Sequence, residues 1–581
     1  MTPSRLLILS GLLLWTACSD DATNPTAPQG ATSATSTGTG TGGGGAGGGG
    51  AGGSPLSIDW APCPLDSNAA TGTDAECALV SVPGRWDAPE LGAIDVFVKR
   101  KRATSLPSRG QVWFLNGGPG YSGADFEPLA QNIADIDPTM DIYMPDHRGV
   151  GRSSRLGCDA ESAASPGGVN ITAGEMPGCL ESLKAKWGAR LDGFSMTNAA
   201  RDVGELIDAT RADSGFVVVY GGSYGSTWAN RYMQLYPDQA AAILLDAVAI
   251  TGPLSQIDAW FQDLGERWMD RCAMDPVCGA KLGADPWARM TDTLNAFGAG
   301  SCPAIAAMGF DRLLIASLGG YFFYDQNLRK LIAPMIYRLD RCAPEDVAAY
   351  SALLTALTTP APADNVSGYF SIVLSAHVAL SEMWETPAPT QEALETAYAS
   401  ANVVHGLAAT FASYDQPWPR YPLDEYAGQL GTTSARTLLL HGEYDFIPLS
   451  TVEPVVDHLA GPTSTFVLMP GAPHGTFQSP TTTGYLSCGG HLLKLVLDDP
   501  TVPLDTSCVD DVIPLTFDPD PALSLSLLGT DDAWDTTSSL QGRGSGAPSK
   551  SALDPQTARA FARARHELEV TGALARLRPA R

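Results

Sequence analysis

Positive charge is scarce in this chain. Its 36 lysines and arginines stand against 63 aspartates and glutamates, a formal net charge of −27. Phosphate backbones call for basic patches, so this balance argues against a nucleic-acid partner. Long apolar runs are lacking too. Beyond the N-terminal segment no stretch approaches the roughly 18 uninterrupted apolar residues of a spanning helix. No CxxC…CxxC zinc spacing occurs, and no cofactor is expected. Histidine is sparse at eight residues, which makes each one easy to weigh as a catalytic base.

Core-forming material is plentiful. Of 581 residues 44% are hydrophobic, enough for one large domain or two joined ones. Residues 1–18 read as an export signal: Arg5, then the short apolar run "LLILSGLLLW", then "TACS". Thr16 and Ala17 before Cys18 resemble a bacterial lipobox, with Cys18 the lipidated residue, although Trp15 departs from the usual aliphatic side chain. Residues 19–55 are Thr, Ser, Ala, Gly and Pro, a composition that does not offset its ordering entropy and reads as a tether to a membrane. The eleven cysteines leave ten without Cys18, an even number suited to an oxidising compartment. Ten cysteines allow about nine hundred pairings, nine times the number for eight, so connectivity stays open. Pairing neighbours gives Cys63–Cys77, Cys158–Cys179, Cys272–Cys278, Cys302–Cys342 and Cys488–Cys508.

Strand and helix patterns alternate over 56–250. "AIDVFVKR" alternates like a half-exposed strand, while 111–118, 140–146, 216–222 and 241–248 read as buried parallel strands ending in turns. The next strands, at 435–445 and 464–475, follow only after a long apolar stretch with helical periodicity. The expected fold is therefore α/β: a doubly wound, mostly parallel sheet in two parts, 56–250 and 431–525, split by a helical cap over 251–430. Residues 526–581 read as a polar linker and a basic helical tail outside the catalytic core, with Val570, Leu574 and Leu577 at helical spacing.

"VVVYGGSYGSTWANRY" (217–232) joins a buried strand to a helix through Gly-x-Ser-x-Gly. On such a scaffold this is a nucleophile elbow, with Ser223 raised above the sheet. A serine hydroxyl needs a base, and the base an orienting carboxylate. Asp445 follows "TLLLHGEY" and His474 follows "FVLMPGAP", both in turns after strands and in the order Ser, Asp, His. Asp246 after "AILL" is the competing acid. His147 precedes the serine, His441 belongs to a strand end, His458 to a helix, and His491 lies beyond the last turn; each reads as structural. The oxyanion of an acyl-transfer intermediate needs N–H donors. Tyr224, next after the serine, offers one, and Gly118 in "NGGPGYSG" (116–123) another.

"NGGPGYSG", "DHRGVGRSS", "GGSYGSTWANRYMQLYP", "HGEYDFIP" and "PGAPHGTF", in this order, resemble the prolyl-iminopeptidase-like serine peptidases, most closely their exported tripeptidyl-aminopeptidase branch, over about residues 60–510. "LSCGGHLLKLVLDDPTVPLDTSCV" is similar to the C-terminal segment of that branch, including its cysteine pair. The resemblance implies an α/β-hydrolase fold and an exopeptidase that releases short N-terminal pieces, tripeptidyl or prolyl/aminoacyl. It also implies a carboxylate from the cap that holds the peptide's free N-terminus, which "SAHVALSEMWE" places at Glu382. Asn116 stands where the family usually has histidine before "GGPG". Asp146 and Arg148 in "DHRG" are expected to pin the loop beside the oxyanion region. Two other functions compete: a carboxylesterase or lipase with the same triad, and a non-catalytic surface lipoprotein. The intact Ser, Asp, His order opposes the latter, and a serine nucleophile opposes the epoxide hydrolases and dehalogenases of this fold, which use aspartate.

Overall fold

A computed structural model describes residues 56–162, 164–211, 215–359, 368–415, 418–483, 487–535 and 553–577. The export signal, Cys18, the 19–55 tether and most of the polar linker lie outside the described residues. The described strands are β1 (Ala61–Cys63), β2 (Ala75–Pro83), β3 (Ala93–Lys101), β4 (Gly110–Leu115), β5 (Met140–Pro145), β6 (Phe216–Gly222), β7 (Ala242–Asp246), β8 (Arg436–Gly442) and β9 (Ser464–Met469). They form one sheet in the order β1-β2-β3-β5-β4-β6-β7-β8-β9. The first three strands and the β3–β5 pair are antiparallel, and every other neighbouring pair is parallel.

The parallel strands are continuous apolar runs because the sheet is covered on both faces. Alternation sends Val112, Phe114, Val218, Tyr220, Leu244 and Leu438 into one core. Their neighbours Trp113, Leu115, Val217, Val219, Ile243 and Leu439 enter the other. The half-exposed reading of "AIDVFVKR" needs correction: Val96 to Arg100 are all buried. Strands β2 and β5 flank this one, and its cations are paired inside, Lys99 with Glu127 at 2.6 Å and Arg100 with Glu76 at 2.6 Å.

Between β7 and β8 the described residues form helices and no strand. These pack over the sheet on aromatic side chains, Trp268 against Phe323 and Tyr444 among them. All five neighbouring cysteine pairs are disulfides, closing separations of 6 to 40 residues. Such bonds belong to an extracellular or envelope compartment. No described helix is long and apolar enough to cross a membrane.

The reading of the tail as an appendage is overturned. Helix Pro555–Val570 buries Thr557, Phe561, Ala564 and Leu568 together with the expected Val570, and Leu574 is buried just beyond its end. Phe561 reaches Phe322 of the cap at 6.4 Å, and Asn327 donates to the Thr557 hydroxyl at 3.1 Å. The apolar anchors are few and spaced among arginines, so composition alone hid the docking.

Candidate active site

Strand β6 runs into helix Tyr224–Leu235 with one residue between them. That residue is Ser223, at φ 56° and ψ −127°. A side chain in this region costs about 1–3 kcal/mol and persists only where surroundings over-determine it. They do so here: Ser223 N–H donates to Asp246 O at 2.9 Å, and its carbonyl accepts from Ser226 N–H at 2.8 Å. The glycines are sterically required. A Cβ on Gly221 would lie 2.2 Å from Gly225 O, and one on Gly225 would lie 2.0 Å from Leu115 O.

The 116–123 loop comes up against the serine, since a Cβ on Gly117 would lie 2.9 Å from the Ser223 Cβ. Asn116 staples this loop. Its Nδ2 donates to Ser122 O at 2.5 Å and Asp125 Oδ2 at 2.9 Å, and its Oδ1 accepts from Gly117 N–H at 2.7 Å. The Gly117 N–H is thereby occupied, which favours Gly118, at φ 113°, as the loop's donor. Tyr224 opens its helix, where an N–H has no intrahelical acceptor. Its phenol meets His147 Nε2 at 3.2 Å. Complete burial drives the His147 imidazole down to about 3, so it is a neutral packing partner. Asp146 accepts from Gly123 N–H at 2.9 Å and does hold the loop. Arg148 instead grips Asp202 at 2.6 Å and the Gly84 and Gly193 carbonyls, away from it.

His474 Nδ1 meets both Asp445 oxygens, at 2.9 and 3.0 Å. This carboxylate fixes the tautomer that leaves Nε2 unprotonated toward the cleft. Burial pushes the Asp445 carboxyl up, but His474, His441 and the Ile447 N–H together outweigh it and leave it below its ordinary value. Phe446 and Tyr324 wall the imidazole at 4.4 and 5.5 Å. The competitor Asp246 has another place: it accepts from Tyr220 OH at 2.8 Å and Thr476 N–H at 3.0 Å. Ser223 and His474 line one cleft of about 1000 Å³. No hydrogen bond joins the serine hydroxyl to the ring.

Glu382 is not among the residues lining that cleft. Its two oxygens take Arg231 and Tyr421, both at 2.7 Å, beside a second cavity of about 250 Å³. The buried guanidinium supplies its partner, so Glu382, expected to hold the peptide's N-terminus, is paired within the protein and away from the Ser223 cleft. Two features escaped the sequence reading. His405, buried with Nδ1 unpartnered, lines the cleft. The C-terminal helix contributes Arg563 and Glu567 to the same lining. Nothing in a lone histidine or an Ala/Arg-rich tail marks either. Among the described residues no cluster of His, Cys, Asp and Glu could hold a metal.

Residues 112–278 match the family model described as alpha/beta hydrolase fold, and the chain has that fold. No curated protein sequence matches it. Among solved structures, an α/β hydrolase from Novosphingobium aromaticivorans is 13% identical, with 69% of this chain and 92% of that one covered at a TM-score of 0.31. A proline iminopeptidase from Mycobacterium smegmatis is 15% identical over 68% of this chain and 91% of its own, TM-score 0.29. A thermophilic esterase from Thermogutta terrifontis is 13% identical over 68% and 91%, TM-score 0.28.

Proposed function

We propose that this hydrolase is an exported serine exopeptidase that releases short N-terminal fragments from peptides. The observation that carries the reading is the convergence on one cleft of a strained Ser223 and of His474, which Asp445 holds by both oxygens. Ser223 Oγ attacks the scissile carbonyl carbon while His474 Nε2 takes its proton. The Tyr224 and Gly118 N–H groups receive the developing oxyanion. The tetrahedral species then collapses: His474 returns the proton to the leaving amine, the C–N bond breaks, and the acyl group remains on Ser223. Water, deprotonated by His474, attacks the ester; the Oγ–C bond breaks, His474 returns the proton to Ser223 Oγ, and the acyl product leaves as a carboxylic acid.

The choice of peptide over simple ester rests on the ordered motif set from "NGGPGYSG" to "PGAPHGTF". Export rests on the N-terminal segment and the five disulfides, and membrane attachment on lipidation at Cys18. A fluorogenic panel of aminoacyl, tripeptidyl and short acyl-ester substrates, with free and acetylated N-termini, tests the reading. We expect highest kcat/KM on a free-amine peptide. Ser223→Ala should remove roughly 10⁴-fold or more of it and leave the melting temperature within a few degrees. Fast ester turnover indifferent to a free amine would make the protein an esterase.

A further inference from the structure

A buried carboxylate in a ligand cleft is costly unless something pairs with it. Six carboxylates line this cleft: Asp66, Asp74, Asp125, Glu127, Asp246 and Glu567. Five have partners within the protein. Asp66 accepts from Asn68 N–H and Asp74 from Leu65 N–H. Asp125 takes Asn116, Glu127 takes Lys99, and Asp246 takes Tyr220. Glu567 is the exception: 8% exposed, it has no hydrogen bond or ion pair to its carboxylate among the described residues. Burial alone acts on it and pushes its carboxyl up to about 8.

The helix that carries Glu567 is fixed to the site it faces. Arg563, one turn earlier, lies 3.9 Å over the ring of Tyr121, on the loop that adjoins Ser223, and 3.9 Å from Asp125 in the turn that follows. His566 sits edge-on to Phe370 at 5.8 Å. Thr571, which closes the helix on the Glu567 carbonyl, also takes the Tyr321 phenol at 3.4 Å. Arg563 is thus committed elsewhere and does not neutralise Glu567. A glutamate on the docked face of an anchored helix, left unpaired, suits a cation that arrives with the substrate.

We propose that Glu567 receives the substrate's terminal ammonium, so that the C-terminal helix supplies the specificity-determining residue of the cleft. This rests on the exopeptidase reading. As the ammonium enters, the raised Glu567 carboxyl gives up its proton to solvent. The ammonium N–H groups then donate to the two carboxylate oxygens in a water-poor site, where a charge-assisted contact discriminates strongly. An acetylated terminus has neither the charge nor the donors.

The test compares kcat/KM for a free-amine peptide and its N-acetylated counterpart in the full-length protein. For Glu567→Gln the ratio should fall roughly 10- to 150-fold, with the melting temperature little changed. Glu567→Asp should fall between wild type and Gln, and it gives the answer alone if the Gln variant does not fold. Glu382→Gln should lower the melting temperature, because it unpairs Arg231, and leave the ratio near the wild-type value. An unchanged ratio in both Glu567 variants, or a fall confined to Glu382→Gln, overturns the assignment while the exopeptidase reading stands. A wild-type protein that hydrolyses esters with no preference for a free amine removes that reading, and Glu567's role with it.

Discussion

Asp246 closes β7, and Asp445 follows its neighbour β8 by three residues. Both carboxylates are at most 1% exposed, and either could have served as the acid on sequence grounds. What surrounds them separates them. Asp445 faces an imidazole, and the charges and N–H groups around it overcome burial to hold it below its ordinary value. Asp246 faces a phenol and a backbone amide, and burial wins, raising it. Asp246 nonetheless serves the same histidine: by holding Thr476 N–H it fixes the turn two residues beyond His474. Position at a strand end selects candidates for the acid, and their partners tell them apart.

Substitution breaks this contrast most sharply at Asp445. Asp445→Asn should lower kcat by about 10⁴-fold on any substrate, because the wrong imidazole tautomer then faces the serine. A matching loss in Asp246→Asn would mean the roles are reversed. Asp246→Asn is expected instead to cost about 1–3 kcal/mol of unfolding free energy, since an amide meets the Thr476 and Tyr220 donors with one oxygen only. Chemical denaturation reads this, and kcat should fall far less than in Asp445→Asn.

The smallest effect lies in pH. Asp445 has a folded value below the unfolded one near 3.8, so its stabilisation is present above that pH and is lost as pH falls through the folded value. Asp246 has a folded value above 3.8, so its stabilisation is complete below that pH and is lost as pH rises through the folded value. The stability penalty of Asp445→Asn should therefore shrink in acid, and that of Asp246→Asn should shrink as pH rises from about 4. Melting curves of both variants across pH check the opposed slopes, and parallel slopes would deny the contrast.

Much of the sheet was legible because parallel strands buried on both faces need unbroken apolar runs, as in "VVVY" and "TLLLHG". The elbow was legible for a steric reason: only glycine fits at 221 and 225, where a Cβ would strike backbone. Asp445 and His474 followed from their places after strands. β1 and β2 were missed: β1 is a three-residue edge strand, and the nine-residue β2 opens on a mixed run before its alternation begins. Glu382 misled because its fate depends on Arg231, 151 residues away in sequence. Glu567 was hidden by the same non-locality, since its burial depends on a docking surface made by the cap.

Each of the five disulfides joins a cysteine to the next one along the chain, from Cys63–Cys77 to Cys488–Cys508. Of the ways these ten thiols can pair, this one leaves no loop nested in or interleaved with another, so each bond closes its own segment.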